Sequence, residues 1–235
     1  MTEPLVIMPG FLLDPRGFLP QIAHLGADRQ VVLPHLNGDT VEQMSLNALH
    51  DLPRRFALLG HGLGGQVAID ILRRLPDAVT RIALVSTDPL AEPPATAASR
   101  EARLVAARAG RLAEAAAGEY PETAFADTDW RGEVMALMQD MAAGLDVDSY
   151  TRQTRAMQRR PDQQKTLRKV RVPALILAGE ADPLVPLRRQ EFLAQLMPFG
   201  RLHVVAGAGH MPQLEQPEDV TAALREFLAG PMLLR

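Results

Sequence analysis

Two polar residues and a glycine turn have the types and the chain order of a nucleophilic relay. Asp182 lies in "GEADPLVP" and His210 in "AGAGHMPQLEQPEDV", and both follow the turn "FALLGHGLGGQ" at 56–66. In such a relay a hydroxyl attacks an acyl carbon, a histidine takes its proton, and an acid orients and stabilises the charged histidine. The local structure that lifts an attacking serine above a sheet is a strand running through G-x-S-x-G into a helix. Here Gly60 and Gly64 fill the flanking positions, and Gly62 stands in place of the serine. The chain carries the partners of a nucleophile with no nucleophile among them.

Other residues extend the pattern or fall outside it. Gly10, in "MPGF" after the first apolar run, lets backbone N–H groups turn toward a ligand. The Phe11 and Leu63 N–H groups are therefore a candidate oxyanion hole, although Pro9-Gly10 alone also reads as an ordinary turn between strand and helix. Asp182 follows an apolar run directly, at the strand end where such sheets gather their sites; in isolation, a loop aspartate is a solvated or capping group. His210 is flanked by small residues that offer no apolar face, which argues against a core histidine. His61 reads as packing or bonding beneath the turn, while His24, His35, His50 and His203 stand outside any constellation. Ser86 and Thr87 close the fourth apolar run at the rim of the same pocket, but neighbouring strands lie about 4.8 Å apart, which argues against Ser86 as a substitute nucleophile. There is no H-E-x-x-H spacing and no phosphate-binding G-x-x-x-x-G-K-[ST] loop, and "GHGLGG" misses G-x-G-x-x-G by one residue. No metal and no cofactor is implied.

These residues need elements to hold them. Six short apolar runs, at 5–8, 30–33, 56–59, 82–85, 174–178 and 202–205, are almost continuously apolar rather than alternating. Strands covered by helices on both faces of a parallel sheet read this way. Helical spacing follows at 67–75, where Pro76 stops it, and after Pro217. Thr40 and Gln43 have the form of a capping box. The alternation predicts an α/β fold with a doubly wound, mostly parallel sheet. Residues 88–165 hold no strand candidate and are rich in Ala, Arg and Glu, as in "REARLVAARAGRLAEAAAG". They are expected to form helices inserted between core strands, leaving a core of 1–87 and 166–235; composition alone makes them no more than a charged helical stretch.

Bulk properties narrow the function classes. The chain has 235 residues, suited to one large domain or one with an insertion, and no cysteines, so disulfides and thiolate metal sites are excluded. A net charge of −3 gives no electrostatic case for nucleic acid. There is no basic region with a long apolar run at the N-terminus and no apolar stretch of about 18 residues, so neither a signal peptide nor a membrane span is expected. The expectation is a cytoplasmic protein acting on a small molecule.

Taken together, "VIMPGF", "LLGHGLGG", "GEADPLVP" and "GAGHMPQLEQPEDV" resemble, in order, four blocks of the α/β-hydrolase superfamily, over about 5–228. The likeness is closest to small bacterial esterase-like members with a helical cap. The resemblance implies a core that begins at the family's third strand, 88–165 as the cap over the pocket, and a triad of position 62, Asp182 and His210. Asp88 lies where some relatives carry an alternative acid. Pro9 replaces a histidine common before the oxyanion glycine, a small change because the donor is backbone. The substrate implied is a small apolar ester or acyl compound, with Leu, Met and Trp130 of the cap as candidate lining, although most of these residues are accounted for by the core.

Gly62 departs from the family where it matters most. Losing the nucleophile of a Ser-His-Asp enzyme costs on the order of 10⁶ in kcat. Three readings follow: an ester hydrolase that has lost its serine, by mutation or descent; an enzyme using the His210–Asp182 dyad for acid–base chemistry without a covalent intermediate; or a protein that binds a small molecule without turnover.

Overall fold

A computed structural model describes residues 2–231. Six strands make one sheet in the order β2-β1-β3-β4-β5-β6, all pairs parallel. They are β1 (Leu5–Met8), β2 (Val31–Val32), β3 (Phe56–His61), β4 (Val79–Val85), β5 (Ala174–Gly179) and β6 (Gly200–Val205). The continuous apolar runs resolve into two faces of period two. Val6, Met8, Phe56, Leu58, Ile82, Leu84 and Ile176 join one core. Leu5, Ile7, Ala57, Leu59, Ala83, Val85, Leu175 and Leu177 join the other. Both faces are apolar because both are roofed by helices, which is why the pattern does not alternate with polar residues. The edges are the exception: β2 spans only two half-buried residues, and β6 exposes Arg201 and Val204.

Helices α1 (Leu19–Leu25), α2 (Val41–Ala48) and α3 (Gly62–Arg74) belong to the first half of the sheet. The segment between β4 and β5 is helical throughout its regular structure, with α4 (Pro94–Arg108), α5 (Leu112–Ala117), α6 (Arg131–Ala143), α7 (Val147–Gln158) and α8 (Gln164–Leu167). Then come α9 (Leu187–Leu196), α10 (Pro212–Glu215) and α11 (Pro217–Ala229). Met44 of α2, Ile71 of α3 and Leu193 of α9 pack in the first core, while Leu25 of α1 and Leu224 of α11 pack in the second. Thr40 caps α2 by accepting the Gln43 N–H at 3.2 Å. The Gln43 side chain reaches back to the Asp39 N–H, one residue earlier than a capping box places it.

The helical segment is tied to the sheet at its neck. The Gln163 N–H donates to the Pro89 carbonyl at 2.9 Å, and its side-chain amide donates to the Gln66 carbonyl at 2.8 Å. These bonds bring the two ends of the segment together beside the N-terminal half of α3. Leu104, Ala107, Tyr150 and Ala156 are buried in the same cluster as the sheet's first core, so the segment is packed onto the sheet and not merely appended to it. Among the described residues no helix is long and apolar enough to cross a membrane.

Candidate active site

β3 ends at His61 and α3 begins at Gly62, so the turn between them is a single residue with φ +50°. The glycines around it are required by close approach: a Cβ on Gly64 would stand 2.1 Å from the Met8 carbonyl oxygen, and one on Gly65 would stand 2.0 Å from Thr87 Oγ1. Gly62 is different. A Cβ there would meet nothing within 4 Å. Backbone strain is the one barrier to a side chain at position 62: glycine takes this left-handed conformation readily, and any other residue there is strained.

Asp182 and His210 follow β5 and β6 and meet. Asp182 Oδ1 accepts the N–H groups of Leu184 and Val185 at 2.9 and 3.0 Å, which fixes the carboxylate. Its Oδ2 lies 2.9 Å from His210 Nδ1. Both residues are buried, and His210 lines a cavity of about 350 Å³ together with Gly62, Leu63, Phe11 and Ser86. With Nδ1 held by a carboxylate, Nε2 of His210 is the ring nitrogen left for proton transfer.

The residues of the candidate oxyanion donors, Phe11 and Leu63, line the same cavity as Gly62. Leu63 is the second residue of α3, where an N–H has no intrahelical acceptor. No described residue accepts from the Phe11 N–H. The Phe11 carbonyl, however, is bound: Tyr120 Oη donates to it at 2.8 Å. Burial pushes the Tyr120 phenol well above its ordinary pKa, so it remains a donor.

His61 bonds beneath the turn, as its position suggests. Its Nε2 lies 2.9 Å from the His210 carbonyl, and the two rings meet edge to face with centroids 5.1 Å apart. Burial, reinforced by the neighbouring His210, lowers the His61 pKa to about 3. The ring is therefore neutral and donates from Nε2. Gly10 is needed because a Cβ would stand 2.2 Å from His61 Nδ1. His203 is a surface residue bonded to Asp219 at 2.9 Å.

Several site residues carry no recognisable motif. Glu215, fully buried, accepts the N–H groups of Gly209 and Ala126 on Oε2, at 2.9 and 2.7 Å, and of Met211 on Oε1 at 2.9 Å. One carboxylate thus holds the backbone on both sides of His210. Its signal in the sequence was a Glu five residues past the histidine, indistinguishable there from a helix-surface charge. Ser86 has φ +43°, is fully buried, and its Oγ has no hydrogen-bond partner among the described residues. Thr87 beside it is satisfied by the Val85 carbonyl at 2.9 Å. Asp88 faces Arg160 and Arg189 at 3.6 and 3.8 Å, while the position beside His210 belongs to Asp182.

The expected apolar lining is corrected. Trp130 donates to the Glu215 carbonyl at 2.9 Å and does not line this cavity; Met157 is the sole methionine that does. The segment instead presents Glu92, Arg100, Arg103, Glu119 and Arg160. Helix α4 turns Arg100 and Arg103 inward here, where they pair with Glu92 and Glu119. No trio of acidic or histidine side chains among the described residues is arranged to hold a metal.

A model of the Alpha/beta hydrolase family matches residues 5–224. The chain belongs to the alpha/beta hydrolase family. The α/β-hydrolase chain is 29% identical over 260 aligned residues to a pimeloyl-[acyl-carrier protein] methyl ester esterase of Aromatoleum aromaticum, covering 98% of this chain and all of that one. It is 25% identical to the bifunctional BioHC protein of Teredinibacter turnerae over 95% of this chain, and spans less than half of that longer protein, 44%. Among solved structures, a thermophilic esterase from Thermogutta terrifontis superposes with a TM-score of 0.87 at 25% identity, covering 97% of this chain and 90% of that one. The enol-lactonase of Burkholderia xenovorans, at 22% identity and a TM-score of 0.86 over 98% of this chain and 92% of that one, shares the fold.

Proposed function

We propose that this α/β-hydrolase is built to hydrolyse a small carboxylic ester, with 88–165 as its cap, and that Gly62 removes the covalent step. The observation that carries the reading is the cavity in which His210, hydrogen-bonded to Asp182 behind it, shares the wall with Gly62, a left-handed turn residue with open space beside it. In the reaction the ester carbonyl sits over Gly62, and the Phe11 and Leu63 N–H groups stabilise its developing negative charge. His210 Nε2 moves the proton, and Asp182 holds the ring and stabilises its charged form. Esterase names among the relatives and structural neighbours support the same reaction class.

A second reading has an observation of its own. The space above Gly62 and the unpartnered Ser86 hydroxyl offer a place for a water that His210 deprotonates directly. The deciding measurement is hydrolysis of short-chain p-nitrophenyl esters by this chain, Gly62→Ser and Ser86→Ala. Gly62→Ser is expected to raise kcat by several orders of magnitude, up to on the order of 10⁶. The added strain costs about 1–3 kcal/mol in stability. Turnover in the unmodified chain that is lost in Ser86→Ala would favour the water mechanism. No gain in a folded Gly62→Ser protein would sink the ester-hydrolase reading.

A further inference from the structure

The roof of the cavity is an ion-pair ladder with an unequal count. It runs Arg103–Glu119–Arg100–Glu92–Arg160–Asp88–Arg189, and all seven side chains line the cavity. The ladder is tight at one end. Arg103 Nε lies 2.8 Å from Glu119, whose other oxygen is 2.5 Å from Arg100, and Arg100 Nε lies 2.7 Å from Glu92. Arg160 also contacts Glu92. The other end is loose: Arg160 and Arg189 approach Asp88 only to 3.6 and 3.8 Å. Neither distance is a hydrogen bond.

Four guanidinium groups face three carboxylates, so the cavity wall carries one surplus positive charge. Asp182 does not change that count, because it sits behind His210 and does not line the cavity. The surplus falls at the loose end. Apart from Asp88, no side chain among the described residues pairs with the Arg189 guanidinium, which is about one-third exposed, 35%, at the first turn of α9. Arg160 is nearly buried at 9%. Burial, with the neighbouring charges of Arg100 and Arg189, holds the Arg160 pKa below the ordinary arginine value. Arg160 Nε donates to the Leu90 carbonyl at 2.9 Å and its guanidinium contacts Glu92, so the cation short of a close partner is Arg189, and guanidinium forks bind carboxylates in paired hydrogen bonds.

We propose that the Arg160–Arg189 end of the cavity is a subsite for the carboxylate of a substrate that is also an ester, a half-ester of a dicarboxylic acid. It rests on the ester-hydrolase reading and adds a substrate class to it. The ester end lies over Gly62 and the free carboxylate replaces the long Asp88 contacts with direct ones to Arg189 and Arg160. A neutral diester of the same length leaves the surplus charge unmatched.

Binding tests this without turnover, so its outcome is separable from the fate of the ester-hydrolase reading. Calorimetry on the unmodified chain at low salt compares monomethyl with dimethyl esters of the dicarboxylic acids from succinate to suberate. At the best chain length the half-ester is expected to bind at least about tenfold tighter than the diester, as for a hydrogen bond to a charged group. Arg189→Gln should erase most of that preference, and Arg189→Lys should restore part of it. Asp88→Asn removes the competing carboxylate and should tighten half-ester binding several-fold, a gain that damage to the fold cannot produce. Equal affinity for the two esters, no binding of either, or a preference indifferent to Arg189 overturns the proposal. Inorganic phosphate binding as tightly as the half-ester with the same Arg189 dependence overturns the carboxylate assignment.

Discussion

The floor and the roof of the cavity are held by different forces. On the floor, backbone groups position the side chains: Asp182 takes two loop N–H groups, Glu215 takes two beside His210 and a third from Ala126, and the turn at Gly62 is set by glycines packed against Met8 and Thr87. On the roof, side chains position one another across helices, as in the pairs Arg100–Glu119, Arg103–Glu119 and Arg160–Glu92, with Tyr150 Oη donating to Glu119 at 2.9 Å. The floor is therefore held by backbone hydrogen bonds, and the roof depends on a mutual cancellation of charge. Floor substitutions should alter chemistry with little change in stability, and roof substitutions should do the reverse.

The sharpest test on the floor is Asp182→Asn in the Gly62→Ser background. It is expected to cut kcat by about 10⁴, because the amide favours the wrong tautomer of His210. Its urea midpoint should move little; a large shift would break the distinction between floor and roof. On the roof, Glu119→Gln leaves Arg100 and Arg103 short of their shared carboxylate and should cost about 3–5 kcal/mol in urea unfolding. A near-neutral result would mean that solvent reaches these groups, and the ladder could not concentrate charge.

A smaller effect comes from His61, where the floor carries its one strongly shifted titration. Its folded pKa of about 3 lies below the ordinary value of 6.5, so between these pH values the unfolded chain binds a proton that the folded chain refuses. Its contribution is complete above pH 6.5 and is lost progressively as pH falls toward about 3. Urea midpoints from neutral to acid pH should fall less steeply in His61→Asn than in the unmodified chain. Parallel slopes would show that His61 is protonated in the fold.

Legibility in the sequence follows the same division. The central strands could be read because parallel strands roofed on both faces are mostly apolar on both, although Thr80 and Arg81 hid the start of β4, while β2 and β6 diverged at the edges, where one face meets solvent. That Asp182 meets His210, and His210 shares a cavity with position 62, could be read because each follows a strand in a short loop, and chain order then stands in for spatial order. Glu215 and Tyr120 could not, because their roles include bonds to the backbone of distant segments, Ala126 for Glu215 and Phe11 for Tyr120. Trp130 was misplaced as a lining candidate because its indole is drawn to the Glu215 carbonyl.

By itself the sequence determined the α/β alternation, the family and the glycine at the turn, since these rest on local period, loop residues and order along the chain. Only the tertiary structure decided that Gly62 has open space above it, that Ser86 is strained and unpartnered, and that a ladder of arginines and carboxylates runs along the roof. The reason is physical: a helix pattern records which residues share a face, but the sign and excess of charge in a cavity depend on which faces meet.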